Sequence, residues 1–230
     1  LKSMGFAKKG FINREWDRKS VTQWLKKEPD KKKRQLAADV FKGLLEATYL
    51  RENWKSAIEK VDAFEGLIKG SQIEQRIRVL TGEAYEKLGG LKEAAAAYEV
   101  ASVLKGVDAS EALFRLGLVR LNNLKDYEGA AKNFDAFAGK YKSDTKRPDA
   151  AFNEGLCYFQ GFHADKKESH LAKAIELFGG FARANSKHKM ANAAQYYVGQ
   201  LEHNRENWAA AIKALEPLMK GERNPAFGQL

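Results

Sequence analysis

The chain has 230 residues, a formal net charge of +10, and hydrophobic and charged fractions of 44% and 30%, which are ordinary for a soluble folded protein. No apolar run approaches the roughly 20 residues needed to cross a bilayer, and the single cysteine, Cys157, excludes an internal disulfide and a cysteine-built zinc site. Only 4 prolines, with abundant Ala, Leu, Lys and Glu, favour helices over strands.

The first predicted element is a basic helical extension at residues 1–33. Residues 1–35 contain twelve basic and four acidic side chains, so the positive charge is concentrated here while the rest of the chain is nearly neutral. Trp16, Val21, Trp24 and Leu25 can share one side of a helix that ends before Pro29. The preferred interpretation is a capping helix that docks on the first repeat, because the two tryptophans need burial.

Two other hypotheses for this extension stay open. It could be a partner-binding arm, or it could attach to an anionic surface, either membrane lipid or nucleic acid. Nucleic acid is the less favoured of these ligands, because no basic stripe continues along the chain. The anionic surface would contact the run Lys31, Lys32, Lys33 and Arg34.

A repeated pattern fills residues 34–221. An alanine recurs in the second half of each repeat, with spacings of 37, 36, 44 and 37 residues. A glycine, replaced once by leucine, recurs in the first half. Large apolar residues lie three residues before and four residues after each of these alanines, on one helical face. The alanines are Ala57, Ala94, Ala130, Ala174 and Ala211, and the first-half residues are Leu45, Gly82, Gly117, Gly155 and Gly199.

This pattern resembles the tetratricopeptide repeat (TPR), an antiparallel helix pair of 34 residues. The resemblance implies an all-α, right-handed α-solenoid of about five TPR-like helix pairs, near residues 38–70, 71–107, 108–145, 146–187 and 188–221. Residues 222–230 would be a C-terminal tail or a truncated capping helix. Another helix or another chain is expected to cover Ile212, Leu215, Leu218 and Met219 on the last predicted helix, which Pro217 should distort.

Local signals refine the repeats. The duplicated stretch RENW at Arg51–Trp54 and Arg205–Trp208 is expected to form the turn between paired helices, with each tryptophan as a packing residue. Ser71 and Glu74 have capping-box spacing.

The 44-residue interval predicts an insertion at residues 161–171, within the turn of the fourth pair. It contains His163, Asp165, Glu168 and His170, which are interpreted as a solvated polar loop in preference to a metal site because the spacing matches no known ligand pattern. Cys157 is interpreted as a buried structural thiol and not as a nucleophile. We therefore expect no catalytic, cofactor or metal site.

The TPR resemblance also implies a binding face. In such arrays the first helices line a concave surface that holds peptides or partner helices, and we call the corresponding positions the first-helix face. Packing between adjacent helices is the preferred interpretation for Phe114, Phe152 and Tyr196. The face comprises Arg76, Val79, Glu83, Glu86, Lys87, Glu111, Phe114, Leu118, Leu121, Asn122, Asp149, Phe152, Leu156, Phe159, Gln160, Tyr196, Gln200, His203 and Asn204.

The segments between repeats are similar to those of bacterial cell-envelope TPR proteins, such as the Tol–Pal coordinator and the TPR lipoprotein of the β-barrel assembly machinery. The proline typical of those proteins is replaced here by Lys142 and by Ala184 or Asn185. The resemblance favours the periplasm over the cytoplasm, although a single cysteine fits both. The expected function is a non-catalytic scaffold that binds another protein within a larger bacterial assembly. The alternatives are an anionic-surface module and a docking domain of a larger enzyme.

Overall fold

The computed structural model describes residues 18–220, and this range is helical with no strand. Trp16 and the predicted tail at residues 222–230 lie outside it. The helices are α1 (Arg18–Lys27), α2 (Lys31–Leu50), α3 (Trp54–Ile68), α4 (Glu74–Leu88), α5 (Leu91–Val103), α6 (Ala109–Val119, continued by a π-helical turn at Arg120–Leu124), α7 (Tyr127–Lys140), α8 (Arg147–Asp165), α9 (Glu168–Ala184), α10 (Ala191–Asn204) and α11 (Trp208–Lys220).

After α1, the helices follow one another as five pairs, from α2–α3 to α10–α11, so the predicted all-α fold of five helix pairs is confirmed. The chain divides into two compact units, residues 1–112 and 113–230. In the first unit, Phe41 and Leu45 of α2 share a buried cluster with Val61 and Phe64 of α3. In the second unit, two clusters are built on the phenylalanines of α7, α8 and α9.

The glycine of each first helix lies against a large side chain of its partner helix. A Cβ on Gly82 would lie 2.6 Å from Tyr98, and a Cβ on Gly117 or Gly155 would lie 2.8 Å from Phe134 or Phe178. These contacts leave no room for a side chain, so the glycines set how closely the helices approach. In the first pair the sizes are exchanged, because Leu45 occupies the glycine position and the smaller Val61 faces it from the cluster.

Each turn within a pair contains one residue in the left-handed region of backbone conformation. The residues are Glu52, Gly89, Lys125, Lys166 and Glu206, with φ between 55° and 79°. In the RENW turns the glutamate adopts this conformation, and the following Asn53 or Asn207 accepts a hydrogen bond from a backbone N–H of the next helix. RENW is therefore a turn-and-cap sequence, as expected. Each tryptophan contacts a ring of the first helix in its pair: Trp54 lies 4.6 Å from Tyr49 and Trp208 lies 4.8 Å from His203, by ring centroids, although Trp208 is more than half exposed.

The insertion at residues 161–171 does not form the predicted loop. It lengthens α8 to Asp165 and starts α9 at Glu168, so only Lys166 and Lys167 connect the two helices. The predicted capping box is also wrong. Helix α4 starts at Glu74, whose carboxylate accepts from Gly70 N at 2.7 Å, while the Ser71 hydroxyl donates to the Ile68 carbonyl.

The glycine contacts predict the effect of adding one methyl group. Gly155→Ala should lower the free energy of unfolding by about 1–2 kcal/mol, because the new Cβ collides with the Phe178 ring. Gly180→Ala is the matched control. Gly180 also lies inside a helix but has no atom within 4 Å of an added Cβ, so this change should be neutral or stabilising by up to about 1 kcal/mol. Urea denaturation measures both, and equal effects would contradict the packing argument.

Candidate functional site

In the first unit the first-helix face is polar. The Arg76 guanidinium lies 3.8 Å from Glu46 and 3.9 Å from Asp108, and the Tyr49 hydroxyl donates to Glu83. Lys87 is exposed, and Glu86 accepts from the Tyr98 hydroxyl. Glu46 and Tyr49 are not among the predicted face residues, although the alignment of Leu45 with Gly82 places them at face positions. Arg76 thus contacts two carboxylates, and Glu83 accepts a hydrogen bond from Tyr49, so these polar groups of the face have partners within the chain.

Four predicted members of the first-helix face are buried and are therefore not accessible to a partner, which agrees with the packing interpretation preferred for Phe152. Phe152 contacts the rings of Phe178 and Phe181, each with a centroid distance of 5.4 Å, and Phe159 lies 4.8 Å from Tyr197. Large apolar side chains at these positions turn toward neighbouring helices, where they are removed from water. The buried residues are Val79, Leu121, Phe152 and Phe159.

The second unit retains an accessible part of the face, which we call the unit-2 face. Phe114 is half-buried against Phe134 and Phe137, and the Lys146 ammonium lies 5.6 Å from its ring centroid. Leu156 packs against both phenylalanine clusters of this unit. All members keep a partly or fully exposed side chain. They are Phe114, Leu118 and Asn122 on α6 and its π-helical turn, Leu156 and Gln160 on α8, and Tyr196, Gln200, His203 and Asn204 on α10.

The remaining predicted residues, Glu111 and Asp149, are half-buried. Asp149 Oδ1 is enclosed without a hydrogen bond and lies 3.6 Å from His188 Nε2. The predicted packing role of the aromatic residues is confirmed for Phe152, while Phe114 and Tyr196 combine ring contacts with partial exposure. Burial thus separates residues that hold the helices together from residues that can meet a partner.

Two groups with raised pKa values lie inside the helix packing of the second unit. Burial raises the pKa of Cys157 to about 12, so the thiol stays protonated and the buried structural interpretation is confirmed. Burial, reinforced by Asp135, raises the pKa of Glu154 to about 7, while Lys173 opposes the shift and Glu176 adds to it. Glu154 is therefore a half-buried carboxyl of α8 that changes charge near neutral pH.

The Glu154 carboxyl predicts how stability depends on pH. Because its pKa is higher in the folded state than the ordinary 4.5, the folded chain binds more protons between pH 4.5 and 7. The free energy of unfolding should therefore fall as pH rises through this window, by about 1–2 kcal/mol when partial exposure is allowed for. Glu154→Gln should remove this part of the pH dependence, as measured by urea denaturation at several pH values. Glu59→Gln, at an exposed position, should leave it unchanged.

At the N-terminal end, Trp24 and Leu25 of α1 pack against the cluster of α2 and α3, so their predicted burial is confirmed. Arg34 fastens this helix, because Nε donates to the Glu28 carbonyl at 2.6 Å and Nη2 donates to the Leu25 carbonyl at 2.5 Å. Arg34 is therefore partly engaged within the chain, although its side chain is exposed and its guanidinium has further N–H donors. The anionic-surface hypothesis stays a prediction that depends on the exposed Lys31, Lys32 and Lys33.

The capping role of Arg34 is testable by substitution. Arg34→Gln should lower the free energy of unfolding by about 1 kcal/mol and speed amide hydrogen exchange in α1, because two carbonyls at its C-terminal end lose a charged donor. Lys32→Gln changes a neighbouring basic residue whose side chain is exposed and should affect neither quantity. If both variants behave alike, the hydrogen bonds of Arg34 do not hold α1.

The histidines of the insertion pack against neighbours. His163 lies against the ring of Phe159, with a centroid distance of 4.5 Å, and His170 Nδ1 lies 3.1 Å from Asp165 Oδ1. Lys167 Nζ lies 2.9 Å from the same carboxylate. Among residues 18–220, no group of three or more His, Cys, Asp or Glu is arranged to hold a metal ion. No helix in this range is long and apolar enough to span a membrane.

Comparison with known proteins shows similarity to solved TPR-like structures. A MamA from Desulfovibrio magneticus RS-1 has 17% identity over 80% of this chain and 93% of its own, with a TM-score of 0.58. A chain from Podosopora anserina, described as a kinesin light chain with nearly identical TPR-like repeats, has 13% identity over 79% and 92%, with a TM-score of 0.54. BtubC (BKLC) from P. vanneervenii has 11% identity over 91% of both chains, with a TM-score of 0.53.

No protein-family model and no curated protein matches the chain. The structural matches have low identity and therefore show the fold alone. Together with the five helix pairs they establish the class, an all-α solenoid of TPR-like repeats. They do not confirm the narrower resemblance to cell-envelope TPR proteins.

Proposed function

We propose that this protein is a non-catalytic scaffold that binds a peptide or helix of a partner protein on the unit-2 face. The observation that supports this proposal is a set of half-buried residues at two register positions of the third to fifth repeats. Phe114 and Tyr196 lie three residues before the glycine of their repeats, and Leu118 and Leu156 directly follow theirs. Repeat solenoids present extended surfaces of this kind, on which each repeat contributes a few side chains to a long ligand.

The chemistry of the unit-2 face suits a protein ligand. Its apolar side chains can bury the anchor residues of an amphipathic helix or an extended peptide. Amide side chains lie beside them, and each amide can both donate and accept a hydrogen bond, as a peptide backbone requires. The amide residues are Asn122, Gln160, Gln200 and Asn204.

The equivalent face of the first unit differs in its chemistry. Arg76 contacts Glu46 and Asp108, and Glu83 accepts from Tyr49, so a ligand there would have to replace contacts already made within the chain. Such replacement gives little net free energy, because exposed ion pairs contribute weakly. We therefore assign the binding role to the second unit.

The proposed setting is a larger bacterial assembly of the cell-envelope or motility type, with a periplasmic location favoured. Support comes from the similarity of the inter-repeat segments to those of envelope TPR proteins. A role as the docking domain of a larger enzyme would use the same face. The two settings are distinguished by the identity of the bound protein.

Site-specific photo-cross-linking in native cells tests the proposal. A photoreactive residue at Gln160 or at Gln200 should cross-link to the same partner, because both positions belong to the unit-2 face. The control position is Lys132, which is exposed on α7, a second helix. Equal cross-linking from Lys132, or different proteins captured from the two face positions, would contradict the proposed surface.

The partner, once identified and purified, allows a quantitative test. The double variant Gln160→Glu, Gln200→Glu should bind it at least about tenfold more weakly by calorimetry, because carboxylates lose the amide donors and add charge beside apolar contacts. Gln72→Glu makes the same chemical change at an exposed site between α3 and α4 and should bind normally. Unchanged affinity in the double variant would exclude the unit-2 face as the binding site.

A further inference from the structure

Helix α2 exposes an apolar stripe that is buried in the next repeat. Leu36, Val40 and Leu44 follow one another at four-residue spacing, which places them on one side of the helix, and they are 43–49% exposed. The alignment of Leu45 with Gly82 makes Ile73, Ile77 and Thr81 their equivalents in the next first helix, where exposure is 8% or less.

The difference between α2 and α4 has a simple cause. Helix α4 packs against α3, the second helix of the preceding repeat. Within residues 18–220, no second helix occupies the corresponding place before α2. Helix α1 does not cover the stripe, because it packs on α3, with Leu25 against Gly66. We call the contact between the second helix of one repeat and the first helix of the next a repeat junction. The α2 stripe is thus the half of such a junction that a first helix contributes.

Helix α11 exposes the other half of such a junction. Trp208, Ile212 and Met219 are 53–74% exposed. The alignment of Ala211 with Ala174 makes Leu171, Ile175 and Ala182 their equivalents in α9. Leu171 is buried, and the other two pack in the cluster that α9 shares with α8 and α10. The α11 stripe therefore corresponds to the surface that a second helix turns toward the first helix of the next repeat, and within residues 18–220 no such helix follows it.

We propose that the α11 stripe of one copy of this chain docks on the α2 stripe of a second copy. The two stripes are the two complementary halves of the junction that joins α3 to α4 and α9 to α10 within the chain. A second copy is therefore a partner that carries the matching half in the correct register. The intermolecular contact would continue the internal stacking of repeats, with apolar area as its driving force.

One contact inside the chain defines the expected register. At the α9–α10 junction, the position of a Cβ on Gly179 lies 3.9 Å from Val198 Cγ2. The equivalents of these residues are Glu216 on α11 and Leu44 on α2. The assembled junction should therefore bring Glu216 of one copy beside Leu44 of the other.

The contact joins two different surfaces, so it is heterologous. Each copy keeps one free stripe after the first contact, which permits growth into open head-to-tail chains instead of a closed dimer. Association should increase with protein concentration, because each junction is formed by helix stripes of limited area. Acidic substitution of either stripe should stop growth at that end while leaving the opposite end competent.

Sedimentation velocity on the full chain tests this arrangement. The parent chain should form larger species as concentration rises, while Val40→Glu and Ile212→Glu should each remain monomeric. An equimolar mixture of these two variants should form species of two chains and no larger, because only one matching pair of intact stripes remains. Val107→Glu is the matched control. It introduces the same charge at an exposed apolar residue outside both stripes and should associate like the parent.

A disulfide experiment tests the register independently of those variants. Leu44→Cys and Glu216→Cys chains, mixed and oxidised, should form a disulfide-linked pair in far greater yield than either chain alone. The buried Cys157 is present in every sample and serves as the internal background. Two results would overturn the proposal: a parent chain that stays monomeric at all concentrations, as it would if residues outside 18–220 covered the stripes, or mixtures that form no cross-linked or paired species.

Discussion

The close contact between the two helices of each repeat is the constraint on which the rest of the structure depends. A glycine on the first helix allows a tyrosine, phenylalanine or leucine of the second helix to lie directly against its backbone. This contact fixes which face of each helix is turned inward and leaves the remaining faces for adjacent repeats and for solvent. Leu45 with the smaller Val61 achieves the same burial in the first pair, so combined volume matters more than the identity of either residue.

The fixed pairing of helices explains why neighbouring positions on one first helix have different roles. Phe152 and Phe159 turn into the phenylalanine-rich core of the second unit, whereas Leu156 lies between them in sequence and remains partly exposed. Glu154, on the same helix, is half-buried, and burial raises its pKa to about 7. One helix thus contributes core residues, a carboxyl with a raised pKa and part of the proposed binding surface. A scaffold function fits this division, because its accessible residues can vary without disturbing the core.

The proposed self-association arises from the same stacking. A repeat junction has two unlike halves, and inside the chain each half is covered by a neighbour. Within residues 18–220, helices α2 and α11 each retain one uncovered half, and their exposed residues include apolar side chains at positions that other repeats bury. If head-to-tail contact occurs, several unit-2 faces would be presented along one assembly, and a multivalent partner would be held more tightly than by a single copy.

The sequence by itself determined the helix pairs and their register, because these depend on the local spacing of an alanine in each second helix and, in four of the five pairs, a glycine in the first helix. It also predicted the buried thiol and the docking of Trp24 and Leu25. Only the tertiary structure decided that Val79 and Phe152 are buried while Tyr196 is accessible, that Arg34 caps α1, and that the insertion lengthens two helices. Periodicity identifies the faces of a helix, but burial depends on whether another helix occupies the space beside each face, and residues distant in sequence decide that.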